Sequence, residues 1–269
     1  MNATLLRKLP TVAALCVAAT FLTPSLAHDT WVQTNTNVVR AGDNIHIDLM
    51  LGNHGNEHRD FKLAGKITLD GCKLDVIAPT GKKFDLKDRL ADVGYVPKEG
   101  FWTARFAATE PGLYMVAHSR ESLHNSTRGI KSGKTFFIVS ASLDKVSKEL
   151  KGFHKPLGHA LEIVPVVNPA APMGPGQPIK VQVLYQGKPM KDARVSFIPR
   201  GVELSTEFDE TYERKTSADG QVSFTPKEGN YVLVVVHHEE PEQKGTGYDG
   251  TKYSATLTVF VPEVCPCCE

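Results

Sequence analysis

Apolar residues along this chain recur mainly at every second position, in short runs separated by Gly, Pro, Asn and Asp. That is the pattern of β-strands joined by turns, because successive strand side chains point to opposite faces. Residues 44–51 show it best, with Ile45, Ile47 and Leu49 on one face and His46, Asp48 and Met50 on the other. Gly52-Asn53-His54-Gly55-Asn56 then breaks the run as a loop. Residues 66–69 and 73–77 flank Asp70-Gly71, a dipeptide that favours a tight hairpin because it tolerates positive φ. Residues 101–106, 113–118 and 135–139 complete a first strand-rich unit, read as a β-sandwich over 28–140.

The period changes once. Over 142–153, Leu143, Val146 and Leu150 fall on one helical stripe, with Ser142 placed to cap the start and Gly152 the end. The spacing predicts a short helix within a linker over 141–158, reinforced by Pro156 and Gly158. Period two then resumes over 161–167, 179–185, 193–198, 221–225, 231–237 and 253–261, separated by Pro- and Gly-rich turns. This second half, 159–262, is read as all-β. The expected fold class is therefore all-β: two β-sandwich domains, immunoglobulin-like or transthyretin-like, joined by a short helical linker.

The first 27 residues read as a secretory signal. Arg7 and Lys8 precede an apolar run from 12 to 22, and Ser25-Leu26-Ala27 offers a small–x–small cleavage site. The run is too short to favour a membrane span. Cleavage after Ala27 implies a periplasmic or secreted protein, with no membrane insertion of the mature chain and His28 as its first residue. The 31 Lys and Arg nearly balance the 30 Asp and Glu, which argues against a nucleic-acid partner. Four cysteines follow the signal: Cys72, then Cys265, Cys267 and Cys268 in a tail over 263–269. Four cysteines permit three complete pairings, and a disulfide or a soft-metal tail are both open readings.

Motifs for phosphate binding, a serine nucleophile elbow or a zinc protease are absent, so the chain is not expected to be an enzyme. Asn125-Ser126-Thr127 matches a glycosylation sequon. An amino-terminal histidine offers its α-amine and Nδ1 to one metal ion, and nitrogen donors suit copper, nickel and cobalt. His118 and His237 are the candidate partners: each shares strand parity with a preceding tyrosine, Tyr114 or Tyr231, and sits at the far end of its strand. His54 is a further candidate in its glycine-flanked loop. His238 takes the opposite face and is read as solvated beside Glu239 and Glu240.

Two resemblances add to this. Gly187-Lys188-Pro189-Met190-Lys191-Asp192-Ala193-Arg194-Val195, Ala218-Asp219-Gly220 and Glu228-Gly229-Asn230-Tyr231 make the second half resemble the transthyretin-like, or carboxypeptidase-regulatory-like, fold. The mature chain as a whole resembles a bacterial periplasmic family associated with nickel or cobalt uptake. That resemblance rests on Ala27-His28-Asp29-Thr30-Trp31, Val39-Arg40-Ala41-Gly42-Asp43, Glu110-Pro111-Gly112-Leu113-Tyr114, Leu161-Glu162-Ile163-Val164-Pro165 and Tyr253-Ser254-Ala255-Thr256-Leu257. It implies two β-sandwich domains and an association with divalent-metal handling; taken with the His28 chelate, the expected protein binds nickel, cobalt or copper for uptake or delivery, with a membrane metal transporter as a candidate partner. The competing expectations are a structural or adhesive β-sandwich module without metal and, third, a copper monooxygenase built on an amino-terminal histidine brace.

Overall fold

The computed structural model describes residues 28–52, 69–94, 100–147, 150–205 and 207–263. The predicted signal, His54, the 66–68 arm of the Asp70-Gly71 hairpin and Cys265, Cys267 and Cys268 lie outside these residues. The fold is all-β. Its strands are β1 (Asp29–Thr34), β2 (Val38–Arg40), β3 (Asn44–Gly52), β4 (Cys72–Ile77), β5 (Lys83–Asp85), β6 (Ala91–Asp92), β7 (Trp102–Ala107), β8 (Gly112–His124) and β9 (Thr127–Ser140). After the linker come β10 (Leu161–Pro165), β11 (Ile179–Tyr185), β12 (Lys188–Pro189), β13 (Arg194–Pro199), β14 (Glu213–Lys215), β15 (Gln221–Phe224), β16 (Asn230–Glu240) and β17 (Gly250–Val261).

These strands make three sheets. A nine-stranded central sheet runs β14-β13-β16-β17-β9-β8-β4-β5, with β2 also on β9. It crosses from one half of the sequence to the other where β17 pairs in parallel with β9, from Gly250↔Thr127 to Thr258↔Thr135. A sheet ordered β1-β3-β7-β6 covers one face, and β10-β11-β12 with β15 covers the other. Burial on both faces explains the unbroken apolar run Val232 to Val236 in β16. Val232, Val234 and Val236 join one core with Ile163, Val181 and Leu257, while Leu233 and Val235 pack with Trp31 and Met50 on the other side. Likewise Phe136 and Ile138 of β9 enter the first core, and Phe137 and Val139 a second one with Ile45, Ile47 and Tyr114. Each such fully buried side chain contributes roughly 1.5–3 kcal/mol.

One expectation about a connection is corrected. Among the described residues of 142–153 there is no helix, only short turns and irregular backbone. The Ser140 hydroxyl donates to the carbonyls of Ser142 and Lys145, and Ser142 Oγ accepts from the Asp144 amide, so local side-chain bonds replace the helical ladder. Leu143, one third of the predicted stripe, is exposed. The linker is instead held by Glu162 in β10, which accepts the amides of Leu157, Gly158 and His159 at 2.6, 2.9 and 3.1 Å. Glu162 also pairs with Lys134 of β9, both side chains being 2% exposed. Burial disfavours its charge, but Lys134 and the amides hold its carboxyl below the usual range. Asn125 and Ser126, with φ of 46° and 57°, make the two-residue turn that closes β8 and β9 into one long hairpin.

Strand β1 hydrogen-bonds only along β3 within its sheet, yet its backbone also lies directly on β9 and β17. Thr256 Oγ1 donates to the Thr30 carbonyl at 3.0 Å. Gly133 of β9 makes room: a Cβ there would stand 2.8 Å from Thr256 Oγ1 and 3.6 Å from the Trp31 Cα. Replacing Gly133 by Ala is expected to cost about 1–3 kcal/mol of stability through this overpacking, read as a lower urea midpoint. An unchanged midpoint would refute the close seating of β1.

Candidate functional site

The site expected from sequence centres on His28, and β1 carries that residue's neighbours into the sheet. Adjacent β1 side chains splay to opposite sides, as strand geometry requires. Asp29 and Trp31 reach toward β16, while Thr30 and Val32 reach toward β8. Their polar partners are the two predicted histidines. His237 Nε2 lies 2.9 and 3.0 Å from the two Asp29 carboxylate oxygens. His118 Nε2 lies 3.1 Å from Thr30 Oγ1, and its Nδ1 lies 3.1 Å from the Lys73 carbonyl.

His118 and His237 therefore flank the same strand end without meeting. β8, β9, β17 and β16 are consecutive in the central sheet, so three strand spacings, roughly 14 Å, separate their backbones. Among the described residues, no group of three or more His, Cys, Asp or Glu side chains is gathered about one point. His28 itself is half-buried, and its carbonyl accepts from the Lys131 ammonium of β9. The last described residue before His54 is Gly52, which pairs with Asp29.

The two imidazoles have opposite electrostatics. Burial pushes the His118 pKa down to about 4, with the Lys73 carbonyl opposing and Arg120, His159 and Lys131 adding to the fall. Its ring is thus neutral at physiological pH. A carbonyl can only accept, so Nδ1 carries the proton and Nε2 accepts from the Thr30 hydroxyl. For His237, burial also works against the charge, but the Asp29 carboxylate prevails and its pKa is raised. The His237–Asp29 pair stabilises the fold below the free-imidazole pKa and fades as pH rises through the raised value.

Asp29, Thr30, Lys131 and Gly133 were not singled out by the sequence reading. Their signal was the hydroxyl row Ser254, Thr256 and Thr258, which alternates with Tyr253, Ala255, Leu257 and Val259 and is buried throughout. A buried polar face on a strand calls for a polar partner, and for Thr256 that partner is the β1 backbone, while Ser254 Oγ and Thr258 Oγ1 make no hydrogen bond. His238 departs from its solvated expectation: it is half-buried, with Nε2 2.9 Å from Glu240 Oε1 and its ring against Tyr185. Cys72 is buried in the core.

Among solved structures, the chain is similar to a DUF4785 family protein from Legionella pneumophila at 11% identity and a TM-score of 0.29, covering 76% of this chain and 52% of that one. It is also similar to Salmonella alpha-2-macroglobulin reacted with methylamine, at 14% identity and a TM-score of 0.25, covering 88% of this chain but 15% of that one. The Yersinia pseudotuberculosis adhesin InvE matches at 14% identity and a TM-score of 0.22, covering 86% of this chain and 58% of the adhesin. The chain thus spans about half of the Legionella protein and a small part of the macroglobulin. Scores this low leave function to be argued from the chain's own residues. No curated protein matches significantly.

The pKa difference at His118 sets a pH dependence. The unfolded chain takes up this proton near 6.5, the folded chain only near 4, so the stabilisation is complete above 6.5 and is lost as pH falls toward 4. Between pH 7.5 and 4.5, wild type is expected to lose about 2.5 kcal/mol more than His118→Asn in urea unfolding. Equal losses would overturn the neutral, buried assignment. The family described as "Domain of unknown function (DUF4198)" matches residues 25–240, a span that includes β1, the linker and β16, and the chain belongs to that family.

Proposed function

We propose that the mature protein is an exported binder of divalent nickel, cobalt or copper, for uptake or delivery, with His28 as the primary chelating residue. The observation that carries this reading is the Asp29–His237 pair beside His28. The pair brings one carboxylate and one imidazole to the end of β1, with the His237 side chain 45% exposed to solvent. Cleavage after Ala27 would add the α-amine and Nδ1 of His28 to that donor set. The nitrogen-rich composition fits copper, nickel and cobalt by ligand preference. In this reading His237 and Asp29 stand next to the ion. His118 is a positioning residue that fixes Thr30, and His54, two residues beyond Gly52 in sequence, remains a candidate. Neutral imidazole binds and imidazolium does not, so acid releases the ion. A periplasmic location and a membrane metal transporter as recipient belong to the same proposal, as does a transthyretin-like assignment of 159–262.

A metal-free structural β-module is the second reading, favoured by the lack of a three-residue ligand cluster among the described residues. Calorimetry with nickel, cobalt and copper separates the two. Protein beginning at His28 is expected to bind at least about tenfold more tightly than protein carrying one extra residue before it, a difference of roughly 1.4 kcal/mol. Equal affinities for the two forms would remove His28 from the site, and absence of binding by both would favour the structural module.

A further inference from the structure

At the opposite face of the central sheet, where β16 and β17 run out, four donor-bearing side chains meet away from His28. His238 and Tyr253 are cross-strand partners, so their side chains share one face. Glu240 follows His238 by two residues and shares that face. Tyr185, the last residue of β11, comes down from the covering sheet. The Tyr185 ring centroid is 4.2 Å from that of His238 and 5.4 Å from that of Tyr253. His238 Nε2 lies 2.9 Å from Glu240 Oε1. Tyr253 is buried and donates its hydroxyl to Gln243 Oε1 at 2.6 Å. The His238 and Glu240 side chains are 23% and 38% exposed, which leaves the cluster open to solvent from one side.

We propose that Tyr185, Tyr253, His238 and Glu240 form a second metal site, one that takes ferric iron. Two phenols, one carboxylate and one imidazole supply three oxygens that can each carry a negative charge and one neutral nitrogen. A trivalent cation balances that charge, and hard oxygen donors suit a hard cation. The spacing agrees: two neighbouring ligands on an octahedral ion with bonds of about 2.1 Å stand about 3 Å apart, and the His238–Glu240 donors are separated by 2.9 Å. Without a cation, burial pushes the Tyr185 phenol up to about 12, with Tyr253 and Glu240 adding to the rise. A bound cation reverses that preference by favouring the phenolate. Lys252, the neighbouring cation on β17, pairs with Glu239 at 2.9 Å, and both lie on the other face of their strands. The site's charge is thus free of that lysine.

The alternative is an aromatic plug that only closes the open end of the core. Titration of the metal-free processed protein with ferric nitrilotriacetate distinguishes the two, because a phenolate on ferric iron gives a visible charge-transfer band that no divalent ion at His28 would produce. The band is expected in wild type and in the form extended before His28. It should weaken and shift in Tyr185→Phe, which keeps the ring packing and leaves Tyr253 as the one phenolate, and Glu240→Gln should weaken apparent affinity by about tenfold or more. Glu240 is partly exposed, so that variant tests the site without disturbing the core. No band in the wild type overturns the proposal, as does a band of undiminished affinity in both variants.

Discussion

The parallel pairing of β17 with β9 is the contact on which the rest of the molecule depends. It joins strands more than a hundred residues apart, from Gly250↔Thr127 to Thr258↔Thr135, and makes one central sheet from segments of both halves. Such long-range pairing must offset a large loop-closure entropy before it stabilises anything. The offset is visible on both faces. Apolar side chains of β9 and β17 fill the core beneath β10 and β11, while on the other face the Thr256 hydroxyl bonds the β1 backbone. Lys134 and Glu162 add a buried ion pair that ties the linker to the same seam.

Strand β1 is the second consequence of that seam. It lies over Gly133 and Thr256, and its side chains part to either side, linking the core under β8 with the smaller cluster on β16. This geometry gives the two histidines different surroundings. His118, buried and neutral, orients Thr30 from one flank; His237, raised by Asp29 and open to solvent, stands on the other. A strand seated this firmly holds its first residue at a fixed place on the sheet.

Strand positions were legible in the sequence because alternation is a local property. The 44–51 and 179–185 runs lie where the pattern put them, and the parity that groups His118 with Tyr114 and His237 with Tyr231 holds in the folded sheet. The linker helix failed for an equally local reason. Its stripe had only Leu143, Val146 and Leu150, and the Ser140 and Ser142 hydroxyls gave the backbone competing partners. β8 and β9 run longer than their apolar patterns because their outer halves are polar and half-exposed, held by pairing across the Asn125-Ser126 turn.

By itself, then, the sequence determined the all-β character, most strand positions and which histidines share a strand face, since all of these follow from the period-two geometry of an extended chain. It could not determine which strands pair, because pairing across a hundred residues leaves no local trace. The separation of His118 from His237, the capture of Glu162 by the linker amides and the meeting of Tyr185 with His238, Tyr253 and Glu240 were decided only by the tertiary structure. Each depends on which sheet lies over which, and that is set by the packing of whole faces rather than by any one residue.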